Sequence, residues 1–247
     1  MHYSYHWAFY AVSGVAVLVF FAGAAELAHL VLVGRGEPVG HTTPGRLARR
    51  LVSGVLFQRQ VAEGGALVWA AHLLMVYGFA GLFLLTVAQF LLRWFVSAPG
   101  VLEFFTHGAG AAAMAVWGDA FGLALLSGTV LALFRRYVLR PEHLDTVAED
   151  ALAVWLLFAV AATGFACEIV RLGARPQTVD LSWSFAVAWM LPGQAVFSET
   201  LVSAAFWFHG LVSLFFIAAI PFTKLKHLFT SPVVYAAVTS SDHYTRS

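Results

Sequence analysis

Five long stretches of nearly uncharged, apolar sequence constrain this chain more than any other feature. Each is long enough for a helix that crosses a bilayer, which takes about 20 residues, and only Glu26, Asp119 and Glu168 are charged well inside them. Apolar residues make up 60% of the 247-residue chain and charged residues 11%, more apolar surface than a soluble domain of this size can bury. The sequence therefore predicts an integral membrane protein with spans at about residues 7–33, 65–92, 107–134, 149–171 and 201–222.

The spans are predicted to be helices rather than strands. Membrane barrel strands are segments of about ten residues with alternating polarity, whereas these stretches are longer and have no period of two. We therefore predict an all-α fold, a five-helix bundle that forms a single membrane domain over residues 1–247. Residues 44–60 are predicted as an interfacial helix on the cytoplasmic surface, because Pro44 suits a helix start and leucines and arginines fall on different faces. Residues 230–247 are predicted to be a cytoplasmic tail.

The distribution of lysine and arginine predicts the orientation of the chain, since cytoplasmic loops are enriched in both. Eleven of the 14 cations lie between spans one and two, between spans three and four, or after span five, and three lie on the other side. The amino terminus is therefore predicted to face outward and the carboxyl terminus the cytoplasm. We expect a multi-pass protein of a bacterial or archaeal cytoplasmic membrane, and the net charge of +1 gives no indication of nucleic-acid binding.

Five of the ten histidines lie in or beside the predicted spans, and one of them, His29, lies near the inner end of span one beside Glu26, where a polar pair is expected. The other four are His72, His107, His209 and His227. Ionisable side chains inside a membrane are costly and usually functional, and neutral imidazoles on apolar helices suit the two axial positions of haem iron. His209 and His227 are 18 residues apart, so on an unbroken helix they would share one face about 27 Å apart. That spacing favours one ligand near each membrane surface.

The depth of each histidine predicts how they pair. With the orientation above, His72 lies near the cytoplasmic start of span two, at the level of His227. His107 opens span three on the outer side, near the level of His209 early in span five. We therefore predict an inner haem whose iron is bound by His72 and His227, and an outer haem bound by His107 and His209. Each histidine taken singly could instead be structural, and the nearby glycines and alanines could simply pack helices.

Several motifs lie within about residues 58–235: Gly65-x6-His72-x5-Gly78-Phe79-x2-Leu82, Phe105-Thr-His107-Gly108, Asp119-x-Phe-Gly122, Arg135-Arg136-Tyr137, Thr163-Gly164-Phe165-x2-Glu168-x2-Arg171, and Trp207-x-His209 with Pro221-Phe222-Thr223-Lys224-x2-His227. Together they resemble the NarI-like b-type cytochromes, a superfamily that includes the gamma subunit of respiratory nitrate reductase. The nitrate reductase branch has a second histidine ten residues after the first, where this chain has Leu82. The chain is therefore more similar to the heterodisulfide-reductase-related branch, and within it to the DsrM-type subunits of dissimilatory sulfur-metabolism complexes.

This resemblance implies a dihaem cytochrome b subunit, with two haem b groups as cofactors and menaquinone or ubiquinone as substrate. Such a subunit transfers electrons between the quinone pool and a cytoplasmic iron–sulfur subunit, beside other membrane and periplasmic subunits. We therefore expect an electron-transfer component of a respiratory oxidoreductase complex rather than a complete enzyme. Because Cys167 is the only cysteine, iron–sulfur clusters would have to lie on another subunit. The cytoplasmic arginines would suit an acidic partner or anionic lipid.

Quinone chemistry couples electrons to protons, so a polar side chain is expected near a haem and within reach of water. The candidates are Arg93, Glu103, Asp119, Glu168 and Arg171. Glu168 and Arg171 lie one helical turn apart and could instead pair with each other. Asp119, deep in span three, could also belong to a proton path or bind a haem propionate.

Three alternatives stay open from the sequence. The chain could be the gamma-type subunit of another respiratory reductase, for nitrate or heterodisulfide. It could be a haem-free membrane scaffold or a transporter whose histidines relay protons. It could also bind one haem through His72 and His227, with His107 in a structural role.

Overall fold

The computed structural model describes residues 4–33, 44–140, 148–174, 197–228 and 230–231. Within these ranges the chain forms helices and no strand, which confirms the predicted all-α class. The α-helices are α1 (Ser4–Val33), α2 (Pro44–Leu51), α3 (Arg59–Ala62), α4 (Ala66–Phe95), α5 (Pro99–Thr106), α6 (Ala109–Phe134), α7 (Ala148–Ala174) and α8 (Glu199–Ala219). Five of them, α1, α4, α6, α7 and α8, are apolar and long enough to cross a membrane.

The segment predicted as one interfacial helix over residues 44–60 is interrupted twice. After α2 the backbone forms a π-helical turn at Val52–Leu56, and Gln58 then adopts a left-handed conformation with φ 47° and ψ 49°. A left-handed residue cannot continue a right-handed helix, so α3 starts afresh at Arg59. The break is held by the indole N–H of Trp69, which donates to the carbonyl of Phe57 at 2.9 Å. Of the predicted tail at residues 230–247, residues 232–247 lie outside the described residues.

The start of span three differs from the prediction. His107 does not open that helix, because it is the C-terminal cap of the short helix α5, where its N–H donates to the Glu103 carbonyl at 2.9 Å. Gly108 follows with an extended backbone, and α6 begins at Ala109. His107 therefore lies in the turn between α5 and α6.

The last span ends before His227. Helix α8 stops at Ala219, and two short 3-10 turns follow, Ile220–Phe222 and Lys224–Lys226. Pro221 has no N–H to continue the α-helical hydrogen bonding, and Thr223 is extended between the turns. The expectation that His209 and His227 share one face of an unbroken helix is therefore wrong.

The chain divides into two compact units. The first contains residues 1–69, 147–153 and 214–247, and the second contains residues 70–146 and 154–213. In the first unit, α1 packs on the turn after α8 through Gly23, where an added Cβ would lie 2.6 Å from the Cβ of Pro221. That glycine is therefore required for the close approach.

In the second unit, glycines bring α4 and α6 into backbone contact. A Cβ added at Gly78 would lie 2.7 Å from the Cα of Leu125, and one at Gly128 would lie 2.8 Å from the carbonyl oxygen of Ala71. The indole N–H of Trp117 on α6 donates to the carbonyl of Gly81 on α4 at 2.9 Å. These contacts show that Gly78 serves helix packing, the ordinary role of small residues between membrane helices.

Helix α7 also makes close contacts at glycines, one with α6 and one with α8. Gly122 of α6 faces the ring of Phe165, whose nearest atom would lie 3.0 Å from an added Cβ. On the α8 side, Gly164 faces the imidazole of His209. Helix α7 is therefore placed beside one of the predicted haem ligands, although it carries no histidine itself.

Candidate functional site

His209 is half-buried on α8 and forms a hydrogen bond to a residue of α7. Its Nδ1 lies 2.9 Å from the hydroxyl oxygen of Thr163 on α7. The Thr163 hydroxyl has one proton and lies 2.6 Å from the carbonyl of Ala159, which can only accept. The hydroxyl therefore donates to Ala159 and accepts from the Nδ1–H of His209. In the neutral imidazole this leaves Nε2 unprotonated, and an unprotonated nitrogen is what a metal ligand requires.

Gly164 gives the His209 ring its room. A Cβ added at Gly164 would lie 3.3 Å from Cε1 of the imidazole and 3.7 Å from Nε2. The missing side chain lets the ring lie directly on the α7 backbone. Thr163 and Gly164 are consecutive residues, so one turn of α7 supplies both the hydrogen-bond acceptor and the space.

His227 follows the second 3-10 turn and has a related arrangement. Its Nδ1 lies 2.5 Å from the carbonyl oxygen of Lys224. A carbonyl oxygen has no proton to give, so Nδ1 carries the hydrogen and the neutral ring is again unprotonated at Nε2. The turn itself is fixed by Thr223, whose hydroxyl accepts from the N–H of Leu225 at 3.3 Å.

The other two predicted ligands lie in the second unit. His72 is half-buried on α4, next to Ala71, whose carbonyl lies against Gly128 of α6. His107 is exposed in the turn between α5 and α6. His209 lies in the second unit as well, whereas His227 belongs to the first. The proposed pairing of these four side chains on two irons stays a prediction.

An apolar groove of about 520 Å³ runs along α6, beginning two residues after His107. Four alanines provide much of its wall, together with the side chains of Val116, Trp117 and Phe121. The rings of Trp117 and Phe121 are 4.8 Å apart between centroids. The groove is lined by Ala109, Ala112, Ala113, Val116, Trp117, Ala120 and Phe121.

The five quinone candidates occupy different environments. Asp119, in the middle of α6, is buried with 1% of its surface exposed. Arg93 is exposed at the end of α4, and Glu103 is exposed on α5. Arg171 and Glu168 form an ion pair within α7, with 3.5 Å between Nη2 and Oε1. Glu168 and Arg171 therefore pair with each other, which the sequence left open as the alternative to a quinone contact. The role of all five residues toward quinone stays a prediction.

The residues present fit axial binding of haem. A metal-bound histidine ordinarily donates its second ring N–H to a nearby acceptor, which fixes the tautomer and the ring orientation, and His209 and His227 both do so here. Across the part of the chain that the structure describes, no three His, Cys, Asp or Glu side chains converge as they would around a bare metal ion. Haem needs no such cluster, because the porphyrin supplies the other four ligands.

Sequence reasoning assigns no role to Thr163 or to Trp117. Thr163-Gly164 lies inside one of the family-like motifs, and a hydroxyl beside a glycine in an apolar helix is the available signal. Its partner is 46 residues away, so the contact depends on how α7 and α8 are aligned. Trp117 is 36 residues from Gly81, and nothing in the local sequence indicates that bond.

Residues 53–243 match the protein family described as nitrate reductase gamma subunit. The chain is also 28% identical over 249 residues to the EtfAB:quinone oxidoreductase of Syntrophomonas wolfei, covering 94% of this chain and 33% of that protein. It is 27% identical over 202 residues to the E subunit of the dihydromethanophenazine:CoB--CoM heterodisulfide reductase of Methanosarcina thermophila, covering 81% of this chain and 69% of that one.

A shorter similarity, 25% over 126 residues, links the chain to the nitrate reductase-like protein NarX of Mycobacterium tuberculosis, covering 49% of this chain and 19% of NarX. The chain thus spans one third of the first of these relatives and about two thirds of the heterodisulfide reductase protein. No solved structure gives a significant match to it.

Proposed function

Because the chain belongs to the nitrate reductase gamma subunit family, we propose that this multi-pass protein of the cytoplasmic membrane binds two haem b groups and carries electrons between quinone and an iron–sulfur partner. The single observation that carries the proposal is the 2.9 Å contact between Nδ1 of His209 and the Thr163 hydroxyl. With the hydroxyl proton assigned to the Ala159 carbonyl at 2.6 Å, this contact leaves Nε2 as the ligand atom. A transporter histidine that relays protons needs both ring nitrogens to exchange protons, and this arrangement holds one of them in place.

His209 and His107 are proposed to bind the outer haem, and His72 and His227 the inner one. His227 supports its assignment through the bond from Nδ1–H to Lys224. The alanine-lined groove on α6 begins beside His107 and offers an apolar wall for a flat macrocycle. When bound by these histidines, haem b would supply a one-electron carrier rather than a site for substrate chemistry.

The protein's own residues have defined tasks in this scheme. Thr163 and the Lys224 carbonyl keep the proton on Nδ1 of their histidines, and the glycine contacts between α4 and α6 fix the helix that carries His72. Quinone is proposed to bind near the outer haem. Arg93, Glu103, Glu168 and Arg171 are candidates to contact it, and Asp119 is a candidate to move protons.

The iron–sulfur partner is proposed to dock on the cytoplasmic side. Exposed cations support this, because Arg49, Arg59, Lys224 and Lys226 all lie in segments assigned to that side. The similarities to the EtfAB:quinone oxidoreductase and to the heterodisulfide reductase protein cover 94% and 81% of the chain, against 49% for NarX. This supports a branch other than that of NarX, and we propose a DsrM-type role within a sulfur-metabolism complex.

The test is haem stoichiometry in purified protein. A reduced-minus-oxidised spectrum with b-type bands and two haems per chain by pyridine haemochrome are expected. His107→Ala should halve the haem content, and His29→Ala, a change of an exposed histidine on α1, should leave it unchanged. One haem per chain that survives His107→Ala would favour the single-haem alternative, and a spectrum without b-type bands would favour a haem-free scaffold.

A further inference from the structure

Helix α7 carries no histidine, yet two of its consecutive residues enclose the ring of His209. Thr163 accepts from Nδ1–H, and Gly164 leaves the ring a flat surface of backbone. Both contacts act on one side chain, the imidazole of His209. The arrangement therefore has a local purpose.

We propose that Thr163 is a positioning residue for His209, which fixes the tautomer of the ring and tunes its strength as an iron ligand. The inference rests on the proposed haem role of His209. The hydroxyl proton of Thr163 is committed to the Ala159 carbonyl at 2.6 Å, so the oxygen is left as an acceptor. Accepting a hydrogen bond from Nδ1–H makes Nε2 a stronger electron donor.

The direction of this hydrogen bond should affect the midpoint potential of the haem bound by His209. A stronger imidazole donor favours the ferric over the ferrous state, so Thr163 should lower the midpoint potential of the haem bound by His209. His227 makes its bond to a backbone carbonyl instead, and no side-chain substitution can remove that acceptor. Thr163 is therefore the acceptor at which one haem can be altered without the other.

The decisive variant is Thr163→Val, which keeps the branched shape and removes the acceptor. Thr163→Ser retains a hydroxyl that can make both bonds and should restore the wild-type behaviour. The matched control is Thr129→Val on α6, because Thr129 is buried and its hydroxyl lies 3.0 Å from the Leu125 carbonyl and 2.9 Å from the Leu126 carbonyl of its own helix. The control thus removes the same kind of intrahelical bond from α6, at a threonine whose hydroxyl bonds to the carbonyls of its own helix.

Three readouts are measured on full-length protein in detergent: haem affinity, the midpoint potential of each haem by redox titration, and the tautomer of labelled histidine by ¹⁵N NMR after haem removal. Thr163→Val should weaken the binding of one haem about 10- to 100-fold and raise its potential. It should also produce mixed ring tautomers at His209. Thr163→Ser and Thr129→Val should match the wild type in all three.

Equal effects of Thr163→Val and Thr129→Val, or no shift of potential in Thr163→Val, would overturn the inference. If the wild-type protein binds no haem, the proposed function fails, and the NMR measurement still decides the role of Thr163. A His209 ring protonated at Nε2 in that protein would refute the positioning role, whereas a ring protonated at Nδ1 only while Thr163 is present would support it.

Discussion

Replacing Gly78 with alanine should separate α4 from α6. The new Cβ would lie 2.7 Å from the Cα of Leu125 and 2.8 Å from its Cβ. Comfortable contacts between non-bonded heavy atoms are about 3.5–4.0 Å, so the two helices would have to move apart by about 1 Å. Since the opposing atoms belong to the backbone or are fixed to it, no side-chain rotation can relieve the clash.

The energetic cost follows from this displacement. Overpacking of a close contact costs about 1–3 kcal/mol, and the movement would also loosen the Gly128 contact and the bond from Trp117 to Gly81. Alanine in a helix recovers at most about 1 kcal/mol relative to glycine. A net loss of about 1–2 kcal/mol is expected, which lowers the folding equilibrium constant about 5- to 30-fold.

The assay is reversible unfolding of detergent-solubilised protein by increasing mole fractions of sodium dodecyl sulfate, followed by circular dichroism. Gly14→Ala on α1 is the matched control, because nothing lies within 4 Å of a Cβ placed there. It should be neutral or slightly stabilising. If Gly78→Ala and Gly14→Ala unfold at the same detergent fraction, the close α4–α6 contact is refuted. Because His72 lies six residues before Gly78 on α4, loss of haem should accompany the destabilisation.

Two further outcomes are expected. Trp117→Phe keeps the ring beside Phe121 but removes the donor to the Gly81 carbonyl, so the unfolding midpoint in the same titration should fall by an amount equivalent to about 1 kcal/mol; an unchanged midpoint would mean the bond contributes nothing. Arg49→Gln combined with Arg59→Gln removes two exposed cations from the proposed cytoplasmic surface, so less of the iron–sulfur partner should copurify at low salt. Retention equal to wild type would place the partner elsewhere.

The sequence predicts the spans well because apolar length is a local property, and each span needs nothing from the rest of the fold to be recognised. Turns at the ends of helices are predicted less well. The sequence places His107 at the start of span three, but the extended backbone of Gly108 separates it from α6. The break after Ala219 could be predicted from Pro221. Counting helical turns from His209 to His227 across this proline therefore gives a wrong relative position for the two histidines.

The histidines can be selected from sequence because an ionisable residue in an apolar helix is conspicuous by itself, whereas the residue that controls it is not. Thr163 makes the same bond to its own helix that Thr129 and Thr86 make, with hydroxyl-to-carbonyl distances of 2.6, 3.0 and 3.0 Å. Only the alignment of α7 with α8 distinguishes it from them. Gly164 contributes to that alignment, since a Cβ at this position would come within 3.3 Å of Cε1 of the imidazole. The glycine therefore matters to the site through geometry rather than chemistry, and a search for polar residues alone would pass over it.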